Sequence, residues 1–216
     1  MNGELFGDIE PAPPREDIAP GAVLLRRLAL DDAPALLAAL RAIAARAPWR
    51  HMVTPGGHAM SVATTNCGAA GWVSDRRGYR YVGQDPQSGR PWPALPPAFL
   101  RLAALAAAQA GYPGFAPDAC LVNRYEPGAR MSLHQDRDER DFGQPIVSVS
   151  LGLPPVFLFG GMRRSDPASR HLLHHGDVVV WGGPSRLRYH GVLALKEGNH
   201  ALLGRLRINL TFRKAL

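Results

Sequence analysis

Residues 205–214 read RLRINLTFRK. Arg207, Asn209, Thr211 and Arg213 alternate with Ile208, Leu210 and Phe212. Successive side chains of a strand point to opposite faces, so one face is polar and the other apolar. One reading of this pattern is an amphipathic edge strand with solvated arginines. The other is a barrel strand whose inner face offers two guanidiniums and an amide to a small dicarboxylate, since arginine forks match carboxylates in bidentate geometry. The barrel itself is suggested upstream. After Gly111 the chain breaks into short β-rich runs divided by Gly, Pro and Asp: ACLVNRYE, RMSLHQD, PIVSVSLG, PVFLFGG, RHLLHHG, DVVVWGG and RYHGVLA. Many short strands between turns indicate an antiparallel barrel or jelly roll.

The first half has a different texture. AVLLRRL, from Ala22, reads as a strand, and DDAPALLAALRAIAARA as a helix. Asp31 or Asp32 can cap that helix, Pro34 sits in its first turn, and Leu36, Leu37, Leu40 and Ile43 recur at helical spacing. A second helix, PPAFLRLAALAAAQAG, opens on prolines and stops at Gly111. Between the helices, residues 50–97 carry many glycines, prolines and aromatics with little regular patterning, as lids and binding surfaces often do. Residues 1–20 are rich in proline and acid and read as a coil or loose tail. There is no internal repeat. The predicted class is mostly β with flanking helices: a tail over 1–20 and one domain over 21–216. Within that domain, a helix-and-loop layer over 21–111 covers a β-core over 112–216.

The chain has 216 residues, 46% of them hydrophobic, which suits one core of good size. No run of about 18 uncharged apolar residues is present, so no membrane span is expected. The start lacks the basic and apolar regions of a secretory signal. Cys67 and Cys120 are the only cysteines and are not in a CxxC arrangement. Free thiols in a reducing cytoplasm are therefore expected. The formal net charge is +7, almost all from arginine, with lysine only at 196 and 214. Such a surface favours an anionic partner, nucleic acid first among them. Arginine in place of lysine through genome composition explains the charge equally well. No long apolar interface element is present, which points to a monomer without an obligate protein partner.

MSLHQDRDE, residues 131–139, holds an H-x-D pair. On a strand, His134 and Asp136 project together while Gln135 points away. An imidazole nitrogen and a carboxylate oxygen on one face can occupy two corners of a metal polyhedron. His190, in RYHGVLA, is the best third ligand. Two histidines and one carboxylate leave ferrous iron three open positions, the facial triad of non-haem iron oxygenases. H-x-D alone is a weak signal. The same three residues would also suit a cupin-like metal module or a zinc hydrolase, but a hydrolase has no use for a dicarboxylate clamp. Asn123 and Tyr125 alternate in CLVNRYEPG and can add hydrogen bonds to the same dicarboxylate. Asp177 reads as support for a turn.

Taken together, MVTPGG, TNCG, GYRY, DPQSGRPWPALP, NRY, HQD, YHG and RINLTFR, in this order over almost the whole chain, resemble the AlkB family of Fe(II)- and 2-oxoglutarate-dependent dioxygenases, in its bacterial DNA-repair branch. The resemblance implies a double-stranded β-helix core. It implies Fe(II) held by His134, Asp136 and His190, and 2-oxoglutarate against Asn123, Tyr125, Arg207, Asn209 and Arg213, with O2 as the other co-substrate. By analogy Arg207 takes the remote carboxylate and Arg213 lies near the iron-bound one. It also implies substrate contacts from Trp72, Tyr79, Arg80, Tyr81, Asp138 and Arg164. Arg80 stands where an apolar residue is expected. Asp138 would favour a cationic methylated base by Coulomb attraction, with Glu139 assisting. The implied reaction is oxidative demethylation of alkylated bases in DNA, with release of succinate, carbon dioxide and formaldehyde. The base must be flipped out or already single-stranded. A hydroxylase or demethylase acting on RNA, protein or a small molecule would use the same triad and arginine strand.

Overall fold

In the computed structural model, which describes residues 13–216, the chain runs in this order. First come β1 (Arg15–Ala19), β2 (Ala22–Leu25), α1 (Ala33–Arg46), β3 (Arg50–Val53), β4 (Ala59–Gly68), β5 (Gly71–Asp75), β6 (Gly78–Val82) and α2 (Pro97–Gln109). Then follow β7 (Ala119–Tyr125), β8 (Met131–His134), β9 (Ile146–Gly152), β10 (Val156–Phe159), β11 (Ser169–Leu172), β12 (Val178–Trp181), β13 (His190–Val192) and β14 (Arg207–Arg213). The larger sheet has the order β1-β2-β12-β9-β14-β7-β4-β3, and the smaller β11-β10-β13-β8. Every pairing is antiparallel. Each sheet draws four strands from residues 119–213, which is the double-stranded β-helix. Of the N-terminal strands, β1–β4 extend the larger sheet at its two edges, and β5 and β6 form a separate two-stranded sheet.

The alternation of β14 separates two environments. Ile208, Leu210 and Phe212 pack outward against Leu36, Leu40, Phe99 and Leu102 of the two helices, in one core with Val147 and Val149. Burying side chains of this size stabilises the fold by about 1.5–3 kcal/mol each. Arg207, Asn209, Thr211 and Arg213 face the space between the sheets and are all buried. A second apolar core, including Tyr125, Phe157, Phe159, Trp181 and Val192, closes that space on its far side.

Both helices form where the spacing predicts them. Asp32 occupies the N-cap of α1, but its carboxylate makes no capping bond. At the end of α2, Gly111 adopts φ +93°. The Tyr112 N–H donates to Ala107 and the Gly111 N–H to Ala108, the hydrogen-bond pair of a Schellman stop.

Two sequence expectations need correction. Residues 15–19, read as coil, form edge strand β1; REDIA carries little apolar signal because only β2 pairs with it. The rest of the expected tail, residues 1–12, lies outside the described residues. Residues 50–97, read as irregular, contain four strands. The longest, β4, escapes an alternation search because polar residues occupy its buried positions: Thr64, Thr65 and Asn66. Each has a backbone partner. Thr64 Oγ1 donates to Arg50, Thr65 Oγ1 donates to Ala47, and Asn66 bonds both the N–H and the carbonyl of Trp72. Cys67 and Cys120 sit opposite each other on β4 and β7, buried and free.

Candidate metal centre and cleft

His134 and His190 are partners across β8 and β13. Their rings lie 4.4 Å apart, centre to centre. Each ring is fixed from behind: Nδ1 of His134 lies 2.8 Å from the Ser132 carbonyl and Nδ1 of His190 lies 3.1 Å from that of Arg188. A carbonyl only accepts, so each Nδ1 carries the proton and each Nε2 presents its lone pair. β8 ends at His134, so Asp136 belongs to the following loop rather than to the expected continuation of the strand. Gln135 still points away, donating to the Leu187 carbonyl. Asp136 Oδ1 lies 3.7 Å from His134 Nε2, and Oδ2 lies 3.7 Å from His190 Nε2. The three donor atoms all fall within 4.8 Å of one another. Two imidazoles and one carboxylate, converging on a shared point, fit a ferrous ion.

Arg213 holds the carboxylate in place. Its Nε and Nη2 lie 3.0 and 2.7 Å from Asp136 Oδ2, and its Nε lies 3.3 Å from Glu139. Burial would raise the Asp136 pKa, but the Arg213 charge holds the group below the usual carboxylate range. Glu139, itself buried, also accepts from Arg186 at 3.0 Å and from the Tyr81 hydroxyl at 2.7 Å. Arg186 reaches the Asp136 backbone carbonyl as well. Arg186 went unrecognised in the sequence, where nothing separates it from the other arginines.

Burial, and then the nearby His134 ring, lower the His190 pKa to about 4. The ring is therefore neutral and ready to ligate at physiological pH. Between pH 4 and 6.5 the unfolded chain binds a proton at this site that the folded, metal-free chain does not. Stability of the metal-free protein should therefore fall as pH drops through that window. Urea midpoints at pH 7.5, 5.5 and 4.5 read the effect, and His190→Asn should flatten the profile. An equally steep profile in the variant would rule His190 out as its source.

Arg207, Asn209, Tyr125 and Asn123 sit on one interior face, because Arg207 pairs with Tyr125 and Asn209 with Asn123 across β14 and β7. Asn209 Nδ2 donates to Ser148 Oγ and the Val149 carbonyl, and Thr211 donates to Asn209 Oδ1. Arg207 Nε donates to Ser150 Oγ at 3.2 Å, and its guanidinium lies 4.6 Å from the Tyr125 ring centre. Ser148 and Ser150 were missed, although they alternate with valines in IVSVSLG. Arg207 is 1% exposed, with no carboxylate among the groups acting on its charge, and burial lowers its pKa. Its Nη1 and the Asn123 Oδ1 are buried without a partner among the described residues. Buried polar atoms are seldom left unpaired, and a buried cation without an anion is costly. The free Arg207 Nη1 donor fits an incoming carboxylate, and the Asn123 Oδ1 acceptor awaits a donor.

The triad and this face open into one cleft of about 820 Å³, whose walls include Trp72, Tyr79, Asp138, Arg164 and Tyr189. Trp72 and Tyr79 stack with ring centres 5.5 Å apart and planes 11° apart. Trp72 Nε1 donates to Asp138 Oδ2 at 2.8 Å. Arg164 lies over the Tyr189 ring. Two expected contacts fall elsewhere. Tyr81 and Arg80 do not line the cleft; Tyr81 is spent on Glu139 and Arg80 on Asp75. Asp177 supports a turn as expected, accepting from the backbone N–H groups of Arg27 and His174.

Residues 21–213 match the family model of the 2OG-Fe(II) oxygenase superfamily, and the chain belongs to it. With the triad in place, it is an Fe(II)- and 2-oxoglutarate-dependent dioxygenase. Within that class it belongs to the AlkB-type enzymes. It is 59% identical over 212 residues to the alpha-ketoglutarate-dependent dioxygenase AlkB of Salmonella typhimurium, covering 98% of this chain and 97% of that protein. It is also 41% identical over 112 residues to the DNA N(6)-methyladenine demethylase ALKBH1D of Arabidopsis thaliana, covering 47% of this chain and 25% of that protein. The solved structure of OsALKBH1 superposes with a TM-score of 0.80 at 30% identity, covering 93% of this chain and all of that one. Among the described residues, no helix is long and apolar enough to cross a membrane.

Proposed function

We propose that the protein removes methyl groups oxidatively from N-alkylated bases of the 1-methyladenine and 3-methylcytosine type in DNA. O2 and 2-oxoglutarate are consumed, and succinate, carbon dioxide and formaldehyde are released. The observation that carries this reading is the Trp72–Asp138 pair beside the triad: an aromatic surface bonded to a carboxylate, in a cleft wide enough for a base. Aromatic faces stack bases of any sequence. A carboxylate favours a base that methylation has made cationic over its neutral parent. The ALKBH1D relative, by its name, also acts on a methylated base in DNA.

His134, Asp136 and His190 hold Fe(II). Arg207 takes the remote carboxylate of 2-oxoglutarate, with Tyr125, Asn123 and Asn209 around the rest of the molecule. Arg213 orients Asp136 and would lie near the 2-oxoglutarate carboxylate that joins Fe(II). When bound, iron, oxygen and 2-oxoglutarate supply oxidation of the N-methyl carbon, and the hydroxymethyl product loses formaldehyde. The chain's own part is to place the methyl group and exclude competing reactions. Trp72 and Tyr79 stack the base, Asp138 recognises its charge, and Arg164 contacts the nucleic acid. A hydrolytic metal site is disfavoured by Arg207, which has no use there. Triad and clamp come from a single chain, so a monomer suffices. The two free thiols suit the cytoplasm.

A competition among single- and double-stranded DNA and RNA oligonucleotides, each carrying 1-methyladenine or 3-methylcytosine, tests the reading. Restoration of the base in DNA is expected. Turnover confined to RNA would establish the alternative substrate, and restoration in none would sink base demethylation. Asp138→Asn should lower kcat/KM on cationic lesions by about tenfold. An equal loss on a neutral alkylated base would remove charge recognition from Asp138.

A further inference from the structure

The hairpin β5–β6 is a two-stranded sheet outside both larger sheets. Two strands alone are marginally stable. At its base Asn66 grips the Trp72 backbone, and the Trp92 indole donates to the Val82 carbonyl. Its two faces do different things. Trp72 pairs with Tyr81 and Ser74 with Tyr79, so the Trp72–Tyr79 stack runs diagonally across the front. Val73 pairs with Arg80 and Asp75 with Gly78, so Asp75 and Arg80 form a diagonal on the back. There Arg80 Nη1 and Nη2 lie 2.9 and 2.7 Å from the two Asp75 oxygens, a bidentate fork. Asp75 also accepts from the Arg77 N–H at 2.8 Å, which closes the turn.

We infer that the Asp75–Arg80 pair is a brace that holds the Trp72–Tyr79 stack in place over the cleft, so that Arg80 is a positioning residue and not a phosphate contact. This rests on the reading that the cleft takes a nucleic-acid base. Arg80 is the one arginine of GYRY, where a phosphate contact is the obvious assignment. Yet both terminal nitrogens already donate to Asp75, Nη1 also lies 3.3 Å from the Gly78 carbonyl, and Asp75 is shared with the Arg77 side chain at 3.3 Å. A diagonal pair on one face links the strands that carry the two rings on the other. Binding is therefore prepared by the free protein, with no ordering of the hairpin left for the substrate to drive.

The two roles predict opposite signs for Asp75→Ala. If Arg80 braces, Asp75→Ala and Arg80→Leu both weaken binding of a methylated single-stranded oligonucleotide to the metal- and 2-oxoglutarate-loaded protein, by about threefold each. KM rises with kcat nearly unchanged, and the salt dependence stays as in the parent. If Arg80 contacts phosphate, Asp75→Ala tightens binding by releasing it, while Arg80→Leu lowers the slope of log K against log salt by about one. Either result overturns the brace. Hydrogen exchange of residues 71–82 without oligonucleotide reads the hairpin independently of any substrate. Faster exchange in both single variants supports the brace, and unchanged exchange overturns it even if the parent binds no oligonucleotide.

Discussion

His134→Ala is expected to reduce turnover by more than about a hundredfold while leaving the fold intact, because even outer partners of a metal ligand cost 10–100-fold. His134 is suited to this test. Its side chain is 36% exposed, and its one hydrogen bond among the described residues is from Nδ1 to the Ser132 carbonyl. Asp136→Ala should abolish turnover as well, but for two reasons at once. It removes a ligand and leaves the buried Arg213 guanidinium with only Glu139 to face. Breaking one half of a buried ion pair costs about 3–5 kcal/mol. The prediction is thus inactivity without destabilisation for His134→Ala, and inactivity with a lower melting temperature for Asp136→Ala. Metal titration and thermal melts on both variants separate the effects. Turnover surviving either change would contradict the metal assignment.

Arg207→Met should raise the KM for 2-oxoglutarate by roughly 10–100-fold, as expected for loss of charge-assisted bonds of about 1.5–3 kcal/mol. The KM for oligonucleotide should move little. Arg207→Lys should recover only part of the loss, since an ammonium cannot make the fork. A second consequence has the opposite sign. In the ligand-free protein Arg207 is a buried cation with an unpartnered Nη1, so replacing it with an apolar side chain should hold or raise the melting temperature. Equal effects on both substrates, or a marked drop in stability, would mean that Arg207 is structural.

The site was readable in the sequence wherever strand alternation carried it. RINLTFR and CLVNRY each divide into a polar and an apolar set, and the β7–β14 register turns those two lists into one face. His190 could be picked out because its run is a strand and its ring is needed to complete a triad. Other parts depend on contacts that no local pattern encodes. Asp136 reaches its position from a loop, held by an arginine 77 residues away. Glu139, read as an assistant to Asp138, is buried and bonded to Tyr81, Arg186 and Arg213, and nothing in RDER or PSRLR displays those contacts. β4 was hidden because its buried positions are threonines and an asparagine satisfied by distant backbone. The Arg80–Asp75 pair was hidden for the same reason: its two halves lie across a hairpin whose pairing the sequence does not display.

The most direct measurement is made on one reaction. The protein is loaded with Fe(II) anaerobically, then given oxygen, 2-oxoglutarate and an oligonucleotide containing 1-methyladenine. Succinate, formaldehyde and restored adenine are followed together. The expected result is one formaldehyde and one restored base for each succinate that the substrate elicits, all lost in His134→Ala. Succinate without formaldehyde or adenine would show the oxygenase but contradict demethylation of bases as its reaction.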